Sequence, residues 1–391
     1  MKLDIELPEG LTDEAYKVLR EQIFFLNRLV DAVEFNGRNV IVSLSDSPAS
    51  VEALSSSIRE LAETTVRSFR RVREKVVFQN DGPGRHLGDP LPSLLALKSV
   101  RRHAPGVFTF QGEFLRVLNG LDRYFRTYAL SLGAVEQVYP PTVQAKSMMR
   151  NGYLSSFPHH ALLVAGVERT GADVGRFVDA CKAGEPIASD TLAEPAQVLA
   201  PTVCYRCFES LYGERLGQKV SIYTGTAHCN RNEGFIEDSL ARLQSFLMRE
   251  IVFIGTSSDV ERVRYQIIQH AQDCVRKWGL TARLATASDP FFATTEQSKR
   301  GYQSLMQLKY EMQFSIPFSD RWISCMSFNN HQRTLVSAYD IASAEDDTAS
   351  GCVGYGLERL AFAIYSQHGT DLAKWPADLA QLAGADEQDN C

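Results

Sequence analysis

The segment Gly351-Cys352-Val353-Gly354-Tyr355-Gly356-Leu357-Glu358-Arg359-Leu360 decides how the rest of the chain is read. Its three glycines let a backbone come close to something flat or charged. Arg359 follows three residues after the last glycine, and Leu360, Ala361, Phe362, Ala363 and Ile364 then run on as a buried helix. The segment reads as a strand-to-helix joint with a guanidinium at its mouth. Such a fork suits a polyphosphate, because Arg keeps its charge and binds two oxygens at once. Taken alone, a tight turn before a helix with a surface Arg explains it equally well. The segments upstream decide between the two.

At 391 residues the chain can bury one large core or two unequal ones. Hydrophobic content of 44% and charged content of 23% fit an ordinary soluble protein, and no apolar run is long enough to span a bilayer. Met1-Lys2-Leu3-Asp4 opens no secretory apolar region, so a cytoplasmic setting with no membrane partner is expected. The eight cysteines are scattered along the chain, which favours reduced thiols, some of them metal ligands, over a disulfide scaffold. A net charge of −6 argues against non-specific nucleic-acid binding as the main activity.

Residues 1–80 read as a small separate α+β domain in the order β-α-β-β-α. Lys2 to Leu7 alternates like a strand, and Ala15, Leu19, Ile23 and Leu26 have helical spacing. Asn36-Gly37 between two apolar runs predicts a hairpin. Ser47-Pro48 predicts the start of the second helix, with Ser47 as its cap. Gln79 to Gly84 is the expected linker. Residues 81–391 read as one large α+β domain. Helices are expected at Phe114–Leu132, Cys204–Leu216 and Glu261–Trp278. Strands are expected at Val135–Tyr139, Lys219–Tyr223, Ile251–Ile254, Ala282–Ala285, Tyr310–Ile316 and Arg321–Phe328. The polar tail after Gly369 is expected to fray.

Three motifs follow in order. The first is the helix 114–132, its strand and Pro140-Pro141. The second joins His228-Cys229-Asn230-Arg231-Asn232-Glu233-Gly234 to Met248-Arg249-Glu250-Ile251-Val252-Phe253-Ile254-Gly255. The third is the segment around Arg359. This order resembles the three motifs of class II aminoacyl-tRNA synthetases. Further stretches narrow it: Gly152 to Pro158, Ala200-Pro201-Thr202-Val203-Cys204-Tyr205, Ser288-Asp289-Pro290-Phe291-Phe292, Lys309-Tyr310-Glu311, and Ser327-Phe328-Asn329-Asn330-His331-Gln332. Together they resemble the seryl-tRNA-synthetase-like amino acid:[carrier protein] ligases, relatives of the zinc-dependent seryl-tRNA synthetases of methanogens. The likeness covers roughly 105–370. It implies a class II antiparallel sheet flanked by helices, beside the small N-terminal domain.

The resemblance also implies a reaction. An amino acid and ATP would give an aminoacyl-adenylate, with arginines and Mg2+ supplying most of the charge stabilisation. Arg231 would hold the α-phosphate and Arg359 the γ-phosphate, both as catalytic groups. Glu233 would accept from the adenine amino group, and Ser327 and Asn329 would face the nucleotide. Cys204, Glu250 and Cys352 stand where the relatives bind Zn2+, which takes the substrate's amino group. Three protein ligands and one open position is the pattern of a catalytic zinc. Glu311 would help hold the amino group, or else pair with Lys309. Cys207 completes a Cys-x-x-Cys with Cys204 but is expected to be a neighbour, and His228 and Cys229 to shape the ATP pocket. The likeness implies a homodimer through the first motif.

Class II enzymes usually carry an acidic metal ligand on the strand 321–328. This chain has Arg321-Trp322 there, with Asp320 before it. That departure motivates one alternative, a catalytically silent binding homologue. The cluster Arg67, Arg70, Arg71, Arg73, Lys75 motivates another, tRNA aminoacylation with 1–80 as the tRNA-binding unit. The leading expectation is transfer of the activated amino acid to the phosphopantetheine thiol of an acyl or peptidyl carrier protein. No anticodon-binding domain is visible after the last motif. The segment Asp46-Ser47 is like a carrier's attachment site, but a preceding hairpin and Pro48 favour a helix cap.

Overall fold

The computed structural model describes residues 1–69, 74–83, 88–233, 239–287, 308–344 and 347–384. Three strands open the chain: Lys2–Glu6 (β1), Val30–Asn36 (β2) and Asn39–Leu44 (β3). They form an antiparallel sheet in the order β1-β3-β2, closed at Asn36 and Asn39 by a turn with Gly37 at φ +58°. Alternation along β1 and β3 turns Leu3, Ile5, Val40 and Val42 inward, where Leu19 and Ile23 of the helix Asp13–Ile23 and Leu54 and Ile58 of the helix Val51–Phe69 meet them. The second helix starts later than expected. Ser50 Oγ, not Ser47, accepts from Ala53 N at 3.1 Å. Asp46 Oδ1 instead takes Ser47 N at 2.7 Å, so Ser47-Pro48 belongs to the turn before the helix.

The remaining strands are Val76–Asn80 (β4), Val100–Ala104 (β5), Val107–Phe110 (β6), Val135–Glu136 (β7), Thr142–Gln144 (β8), Leu163–Val164 (β9), Gln197–Leu199 (β10), Ser221–Asn230 (β11), Ser245–Thr256 (β12), Ala282–Thr286 (β13), Lys309–Ile316 (β14), Arg321–Gln332 (β15) and Thr348–Gly356 (β16). Among the described residues, eight strands make one sheet in the order β4-β13-β14-β15-β16-β12-β11-β7. Every pairing in it is antiparallel except β7 with β11. Helices lie against it, and the architecture is α+β. β4 pairs with β13, so residues 76–80 belong to the large sheet rather than to the N-terminal unit, and the linker expected at 79–84 is partly strand. Gly84, Arg70, Arg71, Arg73, Gly234 and the stretch Ser288 to Phe292 lie outside the described residues. No helix among the described residues is long and apolar enough to cross a membrane.

Three long helices pack on the sheet: Gly112–Ser131, Ser257–Lys277 and Leu357–His368. The stretch 204–216 is helical only over Cys204–Ser210. The tail does not fray where it is described. Ala377–Gly384 is a helix that buries Leu379 and Ala383, and Gly120 in Gly112–Ser131 admits it, since a Cβ there would stand 2.1 Å from Leu382 O. The rings of Phe125 and Tyr355 stack at 3.8 Å between this layer and β16. Beside them the buried Arg249 of β12 holds Asp122 of the helix through Nε at 2.6 Å and Nη2 at 2.9 Å. A buried guanidinium stripped of its carboxylate is costly. Asp122→Ala is expected to lower unfolding stability by about 3 kcal/mol, and Asp122→Asn by less, measured by urea denaturation.

Candidate active site

β12 and β16 run antiparallel with Val252 opposite Cys352 and Glu250 opposite Gly354. The two-residue period of a strand therefore points Glu250 and Cys352 to the same face as diagonal neighbours. The helix Cys204–Ser210 packs over that face with Cys204 as its first residue. The outcome is a buried cluster in which the ligand atoms of Cys204, Glu250 and Cys352 all lie within 4.8 Å of one another. Glu250 is fixed from the helix side. Its Oε1 accepts from Thr202 Oγ1 at 2.5 Å and Val203 N at 3.1 Å, and its Oε2 accepts from Cys204 N at 3.0 Å. His331 Nε2 and Asn329 Nδ2 reach Cys352 Sγ at 3.4 and 3.5 Å.

The hydrogen bond with Cys352, burial and the Glu250 carboxylate push the Cys204 thiol well above its ordinary range. For Cys352, the bond with Cys204 pulls the thiol down, while burial and Glu250 push it further up. Thiols in this state are poor nucleophiles, and a divalent cation reverses the balance by favouring thiolate. Two sulfurs and a carboxylate fit a zinc ion with one position left open. Cys207, one turn on, packs instead into the apolar cluster with Phe208, Val252 and Tyr339.

A cavity of about 130 Å³ adjoins this cluster, lined in part by Arg231, Lys309, Glu311, Ser327, Gly354 and Arg359. Gly354 makes room: a Cβ there would meet Met248 Cε at 2.7 Å and Ser327 Oγ at 3.2 Å. The glycines of β16 serve close approach, and none has positive φ. Arg231 leaves the end of β11, bonds Pro201 O through Nε at 3.1 Å and lies over the Phe246 ring at 5.3 Å. Arg359 is in the first turn of Leu357–His368, with Nη1 3.4 Å from Ser324 O. Burial pulls its guanidinium below the ordinary range, opposed by Glu233, and Arg242 and Arg231 add to the downward push. Two arginines, Arg231 and Arg359, thus converge on one small polar space, a natural receptor for phosphate oxygens.

Several sequence expectations move. Glu233 is buried, and its carboxylate is held by Arg242 through Nε at 2.7 Å and through Nη2. Arg242 also grips Glu21 of the N-terminal unit at 2.6 Å. Asn329 serves the Cys352 thiol and bonds Ser327 Oγ at 3.3 Å. Glu311 pairs with Lys309 at 3.0 Å, one of the two roles expected for it, and also accepts from Ser324 Oγ, all three on the cavity wall. Arg321 and Trp322 stand at the outer start of β15, where Trp322 packs under Arg283 at 4.6 Å. The cavity meets β15 farther along, at Ser324 to Ser327, and its carboxylates are Glu311 and Glu358. The strand position where an acid is expected therefore does not line the cavity. His228 and Cys229 are held by Arg206 from behind, with Nη2 3.1 Å from His228 O, and do not line the cavity. The sequence alone gives no role to Thr202, Arg242, His331 or Glu358, because only strand register and the hairpin's return path bring them here.

No family model matches the chain. It is 35% identical over 300 residues, covering 76% of this chain and 91% of the relative, to amino acid–[acyl-carrier-protein] ligase 1 of Bradyrhizobium diazoefficiens. The chain belongs to the amino acid–[acyl-carrier-protein] ligase family. Ligase 2 of the same organism is 32% identical over 256 residues, 64% of this chain and 75% of that protein. The type-2 serine–tRNA ligase of Methanothermobacter thermautotrophicus is 23% identical over 300 residues, 74% of this chain and 58% of that one. Among solved structures, M. kandleri SerRS in complex with A. aeolicus tRNASec superposes with a TM-score of 0.70 at 18% identity, over 98% of this chain and 77% of the other. These matches bear out both the resemblance read from the motifs and the class II fold.

One carboxyl in this ligase gives a pH signature. Glu358 takes Leu247 N on both oxygens, at 2.8 and 2.9 Å. Burial nonetheless pushes it up to about 7 from an ordinary 4.5. The folded chain then binds more protons than the unfolded chain between those values, so this group's contribution to stability falls as pH rises through that window. Glu358→Gln is expected to flatten the fall in urea midpoint between about pH 5 and pH 7.5; parallel slopes for the two proteins would contradict the assignment.

Proposed function

We propose that in this ligase an amino acid carboxylate attacks the α-phosphorus of ATP, releasing pyrophosphate and forming the aminoacyl-adenylate, and that the phosphopantetheine thiol of a carrier protein then takes the acyl group, releasing AMP. The observation that carries the reading is the meeting of Cys204, Glu250 and Cys352 beside a cavity walled by Arg231 and Arg359. Those three side chains would hold zinc, which would bind the substrate's amino group as a Lewis acid. Thr202 and the first amides of the 204–210 helix orient the Glu250 ligand, as hydrogen-bonded carboxylates around metals are oriented.

The amino acid carboxylate then points toward Arg231, which holds the α-phosphate that it attacks. Arg359 holds the γ-phosphate, and Ser327 presents a hydroxyl to the same space. Both guanidiniums are already in place, so charge gathering on phosphate oxygens meets fixed donors. Mg2+ would take Glu311 or Glu358 with the phosphates, the carboxylates that this wall offers. Glu233 would turn to the adenine amino group while Arg242 keeps it buried. The open side of the amino-group site sets which side chains fit.

A homodimer is part of the proposal. Val138 is 95% exposed and Val135 58% exposed, both just after the first-motif helix, a surface that a second copy would cover. The cysteines described are free thiols, which suits the cytoplasm.

ATP–pyrophosphate exchange screened over the amino acids tests the activation step. Arg359→Ala is expected to lower the exchange rate by about 10² or more. Cys352→Ser and Glu250→Gln are expected to lose bound zinc and exchange together; full exchange in zinc-free Cys352→Ser would refute the amino-group role. A radiolabelled amino acid offered holo-carrier protein or total tRNA is expected to label the carrier alone, and label on tRNA would make this a tRNA synthetase.

A further inference from the structure

We propose that Glu21, His159 and His160 form a second divalent-cation site, of the imidazole-and-carboxylate type, at the seam between the N-terminal unit and the nucleotide cavity. The ligand atoms of these three side chains lie within 4.8 Å of one another. Both imidazoles are buried, at 5% and 7% exposure, so this is no chance surface cluster. A tetrahedral ion with bonds of about 2.0–2.1 Å to nitrogen sets its donors about 3.4 Å apart.

Each ligand is held on a fixed frame. Glu21 lies in the last turns of the helix Asp13–Ile23, and its Oε1 holds Arg242 at 2.6 Å. A carboxylate has a second oxygen and can serve a metal while keeping that bond. His159 and His160 form the short turn Pro158–His160, which Asn232 N ties through His160 O at 3.1 Å to the hairpin bearing Arg231 and Glu233. The Phe25 edge packs on the His159 ring at 5.5 Å, and Phe157 lies parallel to His160. Two carboxylates, Glu21 and Glu233, share the Arg242 guanidinium, and Arg359 acts on both, so an ion there would be held by its ligands rather than by net charge. Two imidazoles and a carboxylate suit zinc or a similar transition ion rather than magnesium or calcium. Such an ion would staple the N-terminal unit to the loop that bears Glu233.

The test counts metal in the full chain and does not depend on the proposed reaction. Glu21→Gln and His160→Gln are each expected to lose one zinc equivalent relative to the parent protein. The double variant Cys204→Ala/Cys352→Ala is expected to bind one cobalt ion with ligand-field bands and no sulfur-to-metal charge transfer, a spectrum that adding His160→Gln abolishes. A cluster held by hydrogen bonds alone leaves the zinc content of Glu21→Gln and His160→Gln at the parent level, which overturns the proposal. So does a double cysteine variant that is folded by circular dichroism and binds no cobalt. Should that variant fail to fold, X-ray absorption of the zinc-loaded parent decides: imidazole scattering that His160→Gln diminishes supports the site, and unchanged scattering overturns it.

Discussion

A carboxylate buried in mid-sheet has lost its water and needs hydrogen-bond donors in its place. Glu250 is that group, and the arrangement around it follows from the requirement. The hydroxyl of Thr202 and the amides of Val203 and Cys204 turn toward it. To deliver them, the chain must bring Pro201 to Cys204 across the sheet and start a helix there. That in turn fixes Cys204 above Glu250 and lets Pro201 O anchor Arg231. One carboxylate thus sets the position of a sulfur on one side of it and of the cavity's Arg231 on the other.

The residue before it obeys the same rule on the opposite face. Strand alternation sends Arg249 toward the helix Gly112–Ser131, where Asp122 receives it, and Glu250 toward the thiols. Two consecutive charges, one on each side of a sheet, are both buried and both answered. Their partners come from different parts of the chain, which ties the first motif, the hairpin and the Cys204 helix into one rigid frame. The cavity lies at the edge of that frame, so its arginines inherit the rigidity that a charge-stabilising site needs.

Much of this was legible in the sequence because the informative residues were local. Alternation in 309–316 and 321–328, the Asn36-Gly37 turn and the apolar run after Arg359 each announce an element from a few residues. The likeness of ordered motifs carried the placement of Cys204, Glu250 and Cys352, which no spacing rule could. What stayed illegible depended on register and return paths. Nothing local says that His331 meets Cys352, that Arg242 comes back to Glu233, or that Glu21 crosses from one unit to the other. The helix start at 51 was misplaced because two serines, Ser47 and Ser50, offered the same capping chemistry, and only the backbone path chose. The supposed fraying tail failed for a similar reason: Gly120, 262 positions upstream of Leu382, leaves the hollow that receives it.

The back-to-back pair in β12 also limits how this gene can change. A strand slipped by one position exchanges its two faces. Insertion or deletion of a single codon between 245 and 256 would put the guanidinium among the sulfurs and the carboxylate against Asp122. Descendants of this sequence must therefore keep the count along the strand itself. Among relatives the strand should read as a stretch free of gaps.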